Sequence, residues 1–191
     1  MLEWRADRLL GRQAEVLWRE SRLSLTAAPG QDLCLLPGLH ECHDLAAATA
    51  PVDGDFTLEA VCESLGDARF DAAGLVFRTE DVSLKVVVER LSTDRFHVVS
   101  ILTRQGRSDE AIGPRLEGGC AALSLTRTGE LVTTYLGRAP DLAFIRCVAT
   151  PAATANIGFC AQAPFNTAVA QGNFRDISFS RIGLPHQRPG P

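Results

Sequence analysis

Two-residue alternation of apolar side chains runs through most of this chain, and it limits the fold more tightly than any other feature. In VSLKVVVERL, Val82, Leu84, Val86 and Val88 fall on one side, and Ser83, Lys85, Val87 and Glu89 on the other. Consecutive valines lose side-chain freedom in a helix but pack well on a pleated surface, so the stretch is read as a strand. FHVVSILT follows after Ser92-Thr93-Asp94, which makes a hairpin. If those residues form the loop, Val88 faces Val98 and Leu84 faces Leu102, core against core, and Glu89 stands opposite His97. ALSLTRTGELVTTYL reads as a second hairpin turning at Thr128-Gly129. RLSLTA, DLCLL, FTLEAVCE, AGLVFR, FIRCV, ANIGFCAQ and FRDISFS complete a set of short strands punctuated by Gly, Pro and Asp.

This pattern predicts an all-β protein, a two-sheet antiparallel β-sandwich or jelly roll. A single domain over residues 1–182 is expected from the length, with a Pro-rich, disordered tail over 183–191. Leu9, Leu10, Ala14 and Leu17 suggest one short helix within residues 6–17. The stretch from Pro37 to Asp53 carries no clear strand and is expected to be a surface loop.

Composition removes several function classes. The net charge is −4, and Arg5, Arg8 and Arg12 are interleaved with Glu3, Asp7 and Glu15, so no basic stripe is offered to nucleic acid. No apolar run approaches the roughly 18 residues that span a bilayer. The first twenty residues lack the apolar core of a signal peptide, so a cytoplasmic location is expected and no membrane partner. The six cysteines form no Cys-x-x-Cys pair and read as buried free thiols. Cys34, His40, Cys42 and His43 match no usual zinc spacing, so no metal is expected. Neither a phosphate-binding glycine loop nor a G-x-S-x-G elbow is present, and no cofactor is expected. Oligomeric state is left open.

GDFTLEAVCESLGDARFDAAGLVFRTEDVSLKVVVER, VVSILTRQGRSDEAIGP, LSLTRTGEL and NIGFCAQAP…NFRDISFS carry a family resemblance. Together, from about Leu23 to Ser180, the chain resembles the concanavalin A-like family of unknown function numbered 1349, which includes fungal regulation-of-enolase proteins. The resemblance implies a sandwich of lectin and glucanase type with a ligand on its concave sheet. The family's motif positions fall here on Gly54–Phe56, Phe70–Leu75, Ser83–Glu89, Ser108–Glu110 and Arg127. Ser83, Ala72 and Glu110 stand where the family has tryptophan, glutamine and tryptophan, and Gln31–Cys34 takes the place of an aromatic-rich motif. The resemblance thus carries over a charged frame of Asp71, Lys85, Glu89, Ser108, Asp109 and Arg127, without the aromatic platform on which a sugar ring stacks.

Lys85, the only lysine of the chain, is the most pointed of these. It shares a strand face with Glu89 at roughly 13 Å, too far for a direct ion pair but suited to framing one ligand. Each candidate also has a plainer role. Asp71, Ser108 and Asp109 suit turn capping, Arg127 is an ordinary surface arginine at a turn, and Glu89 with His97 suits a cross-strand ion pair. The expected function is a lectin-like, noncatalytic protein that binds a small carbohydrate or metabolite. The alternative is a cytosolic enzyme of specialised metabolism, of cyclase or isomerase type. It would use Lys85, Glu89 or His97 as acid–base groups beside an apolar lining of Val87, Val99 and Ile101. Because a polar face adds little to a core, substitutions at Lys85 or Glu89 are expected to leave folding intact.

Overall fold

The computed structural model describes residues 4–6, 14–152 and 154–186, and every regular element among them is a strand. In chain order these are β1 (Arg5–Ala6), β2 (Glu15–Arg19), β3 (Arg22–Ala27), β4 (Leu33–Leu36), β5 (His40–His43), β6 (Ala46–Asp53), β7 (Phe56–Ser64) and β8 (Ala72–Arg78). There follow β9 (Val82–Ser92), β10 (Arg95–Arg104), β11 (Arg107–Leu116), β12 (Cys120–Thr128), β13 (Leu131–Arg138), β14 (Asp141–Ala149), β15 (Thr154–Gln162) and β16 (Ala170–Ser180). One sheet runs β1-β6-β15-β8-β9-β10-β11, the other runs β14-β13-β12-β7-β16-β3-β2, and β4 pairs with β5 as a separate hairpin. All pairings are antiparallel.

The alternation read from the sequence sets the layers. Leu75, Phe77, Leu84, Val86, Val88 and Val98 point from the first sheet into one core with Leu23, Leu25, Phe56, Leu58, Leu123, Leu125 and Phe174 of the second. Between β9 and β10 the register is Val88 with Val98, Leu84 with Leu102 and Glu89 with His97, as core facing core requires. The turn itself is shorter than expected, Thr93 and Asp94 with Ser92 paired to Arg95, and a register shift at Leu91 restores the pairing. A smaller apolar cluster lies on the outer face of the first sheet. There Leu33 and Cys34 of β4 cover Val76, Val87, Val99, Ile101 and Cys160. The first sheet is therefore buried on both faces along its middle.

That double burial explains one missed segment. Residues 37–53, expected to be a loop, contain β5 and β6. Ala46 and Ala48 enter the main core while Ala47 enters the outer cluster, so β6 shows no apolar–polar alternation. Alanine is also a weak strand former, which hides the element further. The expected helix is overturned in its described C-terminal part as well, because Glu15–Arg19 is an edge strand pairing with β3. Residues 7–13, Leu9 and Leu10 among them, lie outside the described residues. Residues 183–186, expected within the tail, are tied to the second sheet. Leu184 N donates to Thr126 Oγ1 at 2.9 Å, and Thr128 Oγ1 donates to Leu184 O at 2.8 Å. All six cysteines are free; Cys34, Cys62 and Cys160 are buried, Cys42 and Cys147 partly so, and Cys120 is exposed.

Candidate functional site

Strand alternation turns Lys85 and Glu89 away from the main core, toward the face that β4 and β5 cover. Cross-strand register then selects their neighbours. Lys85 lies between Val76 and Ile101, while Glu89 lies between Ala72 and His97. On its other side Ala72 pairs with Gln162. Because Ala72 carries only a methyl group, the long side chains of Gln162 and Glu89 meet across it, and Gln162 Nε2 donates to Glu89 Oε2 at 3.2 Å. Gln162 Oε1 accepts from Lys85 Nζ at 2.7 Å. Lys85 and Glu89, too distant along the strand to touch, are thus bridged by one amide.

The ammonium of Lys85 also donates to Asp32 Oδ1 at 2.6 Å. Asp32 sits at the root of the β4–β5 hairpin and accepts in addition from Leu33 N at 2.7 Å. Its other oxygen, Oδ2, lies 3.1 Å from His40 Nε2 on β5. Backbone bonds hold this root beside Gln162, with Gly30 N donating to Ala163 O and Ala163 N to Gln31 O, both at 2.8 Å. The result is one hydrogen-bonded row, Glu89–Gln162–Lys85–Asp32–His40, reaching from the sheet to the half-buried edge of the hairpin.

Lys85 is 1% exposed, Glu89 2% and Asp32 4%, so desolvation is the largest influence on each. For Asp32 burial works against the charge, but Lys85 and the His40 hydrogen bond outweigh it and hold the carboxyl below its usual range. For Lys85 burial likewise opposes the charge, and Asp32 outweighs it, raising the pKa. The Asp32 hydrogen bond, opposed by burial, raises His40. Glu89 differs, because no cation among the described residues touches it. Burial, reinforced by Glu110 and only partly offset by Lys85, pushes its pKa up to about 8. Its Oε1 is buried without a hydrogen-bond partner among the described residues.

These groups line a cavity of about 350 Å³. Its apolar wall comes from Leu36, Leu39, Ile101, Phe70, Pro164 and Phe165, and exposed Arg69 and Glu110 complete the rim. Phe165 stands 5.0 Å from the His40 ring and 5.7 Å from the Phe70 ring, centroid to centroid, so three rings gather at the cavity. Phe70 adopts a left-handed backbone at φ 69°, unusual for a bulky residue. Its carbonyl accepts from Gln162 Nε2 at 3.0 Å, and its amide donates to Arg90 O at 2.6 Å, which hold that conformation. A wider, more open groove of about 800 Å³ lies by Ser83, Thr103 and Asn156. The smaller cavity is the better candidate, because a buried carboxyl oxygen without a partner lies in its wall.

The remaining sequence candidates separate. Asp71 is buried, but its Oδ2 accepts from Ala68 N at 2.9 Å and Asn166 Nδ2 at 2.7 Å, which pins the loop before β8. Gly66 is required there, since a Cβ would fall 2.3 Å from the Asp71 side chain. Ser108 Oγ accepts from Leu35 N at 2.8 Å and lies 2.7 Å from Thr103 Oγ1, so it fastens the hairpin to the sheet. Asp109 is exposed and ion-pairs with Arg146 at 3.0 Å. Arg127 belongs to β12 of the other sheet, where its Nε donates to Gly129 O at 2.8 Å. His97, though opposite Glu89 in register, turns its Nδ1 to Gly113 O at 3.0 Å, and no ion pair forms. A register shift between His97 and Val99 in the β10–β11 pairing accompanies that turn. Of the apolar lining expected for an enzyme, Ile101 faces the cavity while Val87 and Val99 are sealed beneath the hairpin.

Sequence reasoning passed over Asp32, Gln162, Phe70 and Phe165 as site residues, and weighed His40 only as a metal ligand. Asp32 lies inside the Gln31–Cys34 stretch that replaces the family's aromatic motif. Gln162, a polar residue ending the apolar run 157–161 of β15, was the other available signal. Lys85 does not lie on an exposed polar face: its charge is buried against Asp32, so its substitution is expected to cost stability.

A seven-on-seven antiparallel sandwich, with a hairpin laid over one sheet and a cavity beneath its edge, defines a concanavalin A-like jelly-roll protein. Within that class, the model of DUF1349, a protein family of unknown function, matches residues 13–182, and the chain belongs to that family. A functionally unknown protein from Saccharomyces cerevisiae shares the fold at a TM-score of 0.77 and 16% identity, over 94% of this chain and 96% of that one. The GH43 BlXynB protein from Bacillus licheniformis matches at 0.62 and 15% identity, over 87% of this chain. This chain spans only 34% of that protein. The PL7 alginate lyase AlyA1 from Zobellia galactanivorans matches at 0.51 and 12% identity, over 83% of this chain and 77% of the lyase. At such identities the likeness is one of fold. No curated protein matches the sequence.

Proposed function

We propose that this protein is a lectin-like binder of a small carbohydrate or metabolite, held noncatalytically in the cavity between β9 and the β4–β5 hairpin. The observation that carries this reading is the partnerless Glu89 Oε1 in the wall of a cavity of about 350 Å³. A buried polar atom left unsatisfied costs roughly 1–3 kcal/mol, and a ligand would recover it. The volume and the mixture of apolar wall with a few fixed polar groups suit a small molecule. Phe165, outside the family's motif positions, and Phe70, at the start of one of them, supply aromatic rings at the cavity. Fold relatives named as a GH43 protein and an alginate lyase add the support of shared architecture only.

A second reading, an enzyme of cyclase or isomerase type, is favoured by the high pKa of Glu89, which suits a general acid near neutral pH. A thermal-shift screen of sugars and polar metabolites, followed by calorimetry and turnover assays on the hits, separates the two. For a binder, Phe165→Ala should weaken affinity about tenfold through the lost aromatic face, with melting little changed because Phe165 is 58% exposed. Unaltered affinity would remove the cavity mouth from the site. For an enzyme, Glu89→Gln should cut kcat by roughly 10²–10⁴. Absence of turnover with every bound hit would leave the binding role standing.

A further inference from the structure

The row Glu89–Gln162–Lys85–Asp32 leaves two hydrogen-bonding positions unused, and both belong to groups in the cavity wall. Lys85 Nζ donates to Asp32 Oδ1 at 2.6 Å and to Gln162 Oε1 at 2.7 Å, and an ammonium has three hydrogens to give. With its Oε1 engaged by Lys85, Gln162 must turn its amide nitrogen toward Glu89 Oε2 at 3.2 Å and Phe70 O at 3.0 Å. Both amide hydrogens are then committed, which leaves Glu89 Oε1 alone. An ionised Glu89 would be a buried charge supported by one neutral hydrogen bond, since the neighbouring ammonium is already paired with Asp32.

We infer that Glu89 presents a carboxylic acid O–H, beside the third N–H of Lys85, and that this donor pair grips an acceptor oxygen of an uncharged ligand: a hydroxyl, ether or carbonyl oxygen. The inference rests on the binding role proposed above and assigns its recognition chemistry. Around Glu89 the charged and titratable groups are Lys85 on its own strand, His97 opposite on β10, and Glu110 and Arg115 on β11. Asp32, Cys34 and His40 at the hairpin, and Arg69 in the loop before β8, line the same cavity. Glu110 adds to the effect of burial and Lys85 opposes it, leaving the carboxyl near 8. Loss of the proton removes the donor and adds a negative charge that an acceptor oxygen repels, so binding weakens as pH rises through that range.

The test has two arms on the whole chain. In the first, the protein carrying carboxyl-¹³C glutamate is titrated by NMR without ligand, alongside Glu89→Gln. One carboxyl resonance titrating near pH 8, absent from the variant, is the expected result. All glutamates titrating in the ordinary carboxylate range would overturn the inference. In the second, methyl β-D-xyloside and methyl β-D-glucoside are titrated calorimetrically at pH 6.5 and 9.0. Wild type should bind at least tenfold more weakly at the higher pH, and Glu89→Gln should change less than twofold. Because His40 is intact in both proteins, its titration cancels in that comparison. Equal pH dependence in the two proteins would overturn the inference. Failure of both glycosides to bind at either pH would count against the carbohydrate reading, and the first arm alone then decides the state of Glu89.

Discussion

Lys85→Ala should destabilise the protein by about 3–5 kcal/mol, the usual penalty for removing one partner of a buried ion pair. At this chain length that lowers the melting temperature by roughly 6–20 °C. Asp32 would keep the Leu33 amide and His40 but lose the ammonium 2.6 Å away, while staying out of water. Gln162 would lose the contact that fixes its amide, loosening Glu89 in turn. The double variant Asp32→Asn with Lys85→Met should recover much of the loss, because no charge is then stranded. A double-mutant cycle by urea denaturation should return a coupling of at least about 2 kcal/mol. A single variant losing under about 1 kcal/mol would mean that the pair is not desolvated as described. The single lysine of a chain otherwise written in arginine thus places a compact ammonium between Asp32 and Gln162.

Glu89→Gln should do the reverse and stabilise the protein, more strongly as pH rises. A carboxyl whose pKa is higher in the folded chain than in the unfolded one favours folding fully below the unfolded value, and loses that contribution as pH rises through the folded value. For Glu89 the window runs from the ordinary 4.5 to about 8. By linkage the loss at pH 8 is on the order of 4 kcal/mol, which glutamine, neutral and of the same shape, avoids. The variant's melting temperature should match wild type near pH 4.5 and exceed it by roughly 8–16 °C at pH 8. Asp32 has the opposite sign, since its depressed pKa makes its contribution disappear as pH falls below the carboxylate range. Wild-type stability should therefore peak in mildly acidic solution. A melting difference independent of pH would show that Glu89 is ionised in the folded protein. A residue that costs stability at neutral pH and is replaced so simply fits a role in ligand recognition.

The sandwich was legible because the second sheet and the β9–β10 hairpin keep an apolar–polar alternation in sequence. Matching core to core gave the β9–β10 register, although a shift at Leu91 rather than the loop length sets it. The site was only half legible. Lys85 and Glu89 stood out by strand face and by resemblance to the family. Asp109 and Arg127 shared that resemblance but lie on an exposed edge and on the other sheet, because motif positions carry no information about facing. Asp32 and His40 come from a hairpin folded over the sheet, and Gln162 from a strand two places away. Such contacts depend on tertiary placement, which periodicity does not encode. His97 shows the limit of register itself, since a correct backbone pairing still left its ring turned toward Gly113.

The most direct test of the binding cavity is a crystal structure with the tightest ligand from the thermal-shift screen. The ligand should lie beneath the β4–β5 hairpin, with an oxygen within hydrogen-bond distance of Glu89 Oε1 and its body against Phe70 and Phe165. A ligand seated instead in the open groove by Ser83 and Thr103, with Glu89 Oε1 still without a partner, would contradict it.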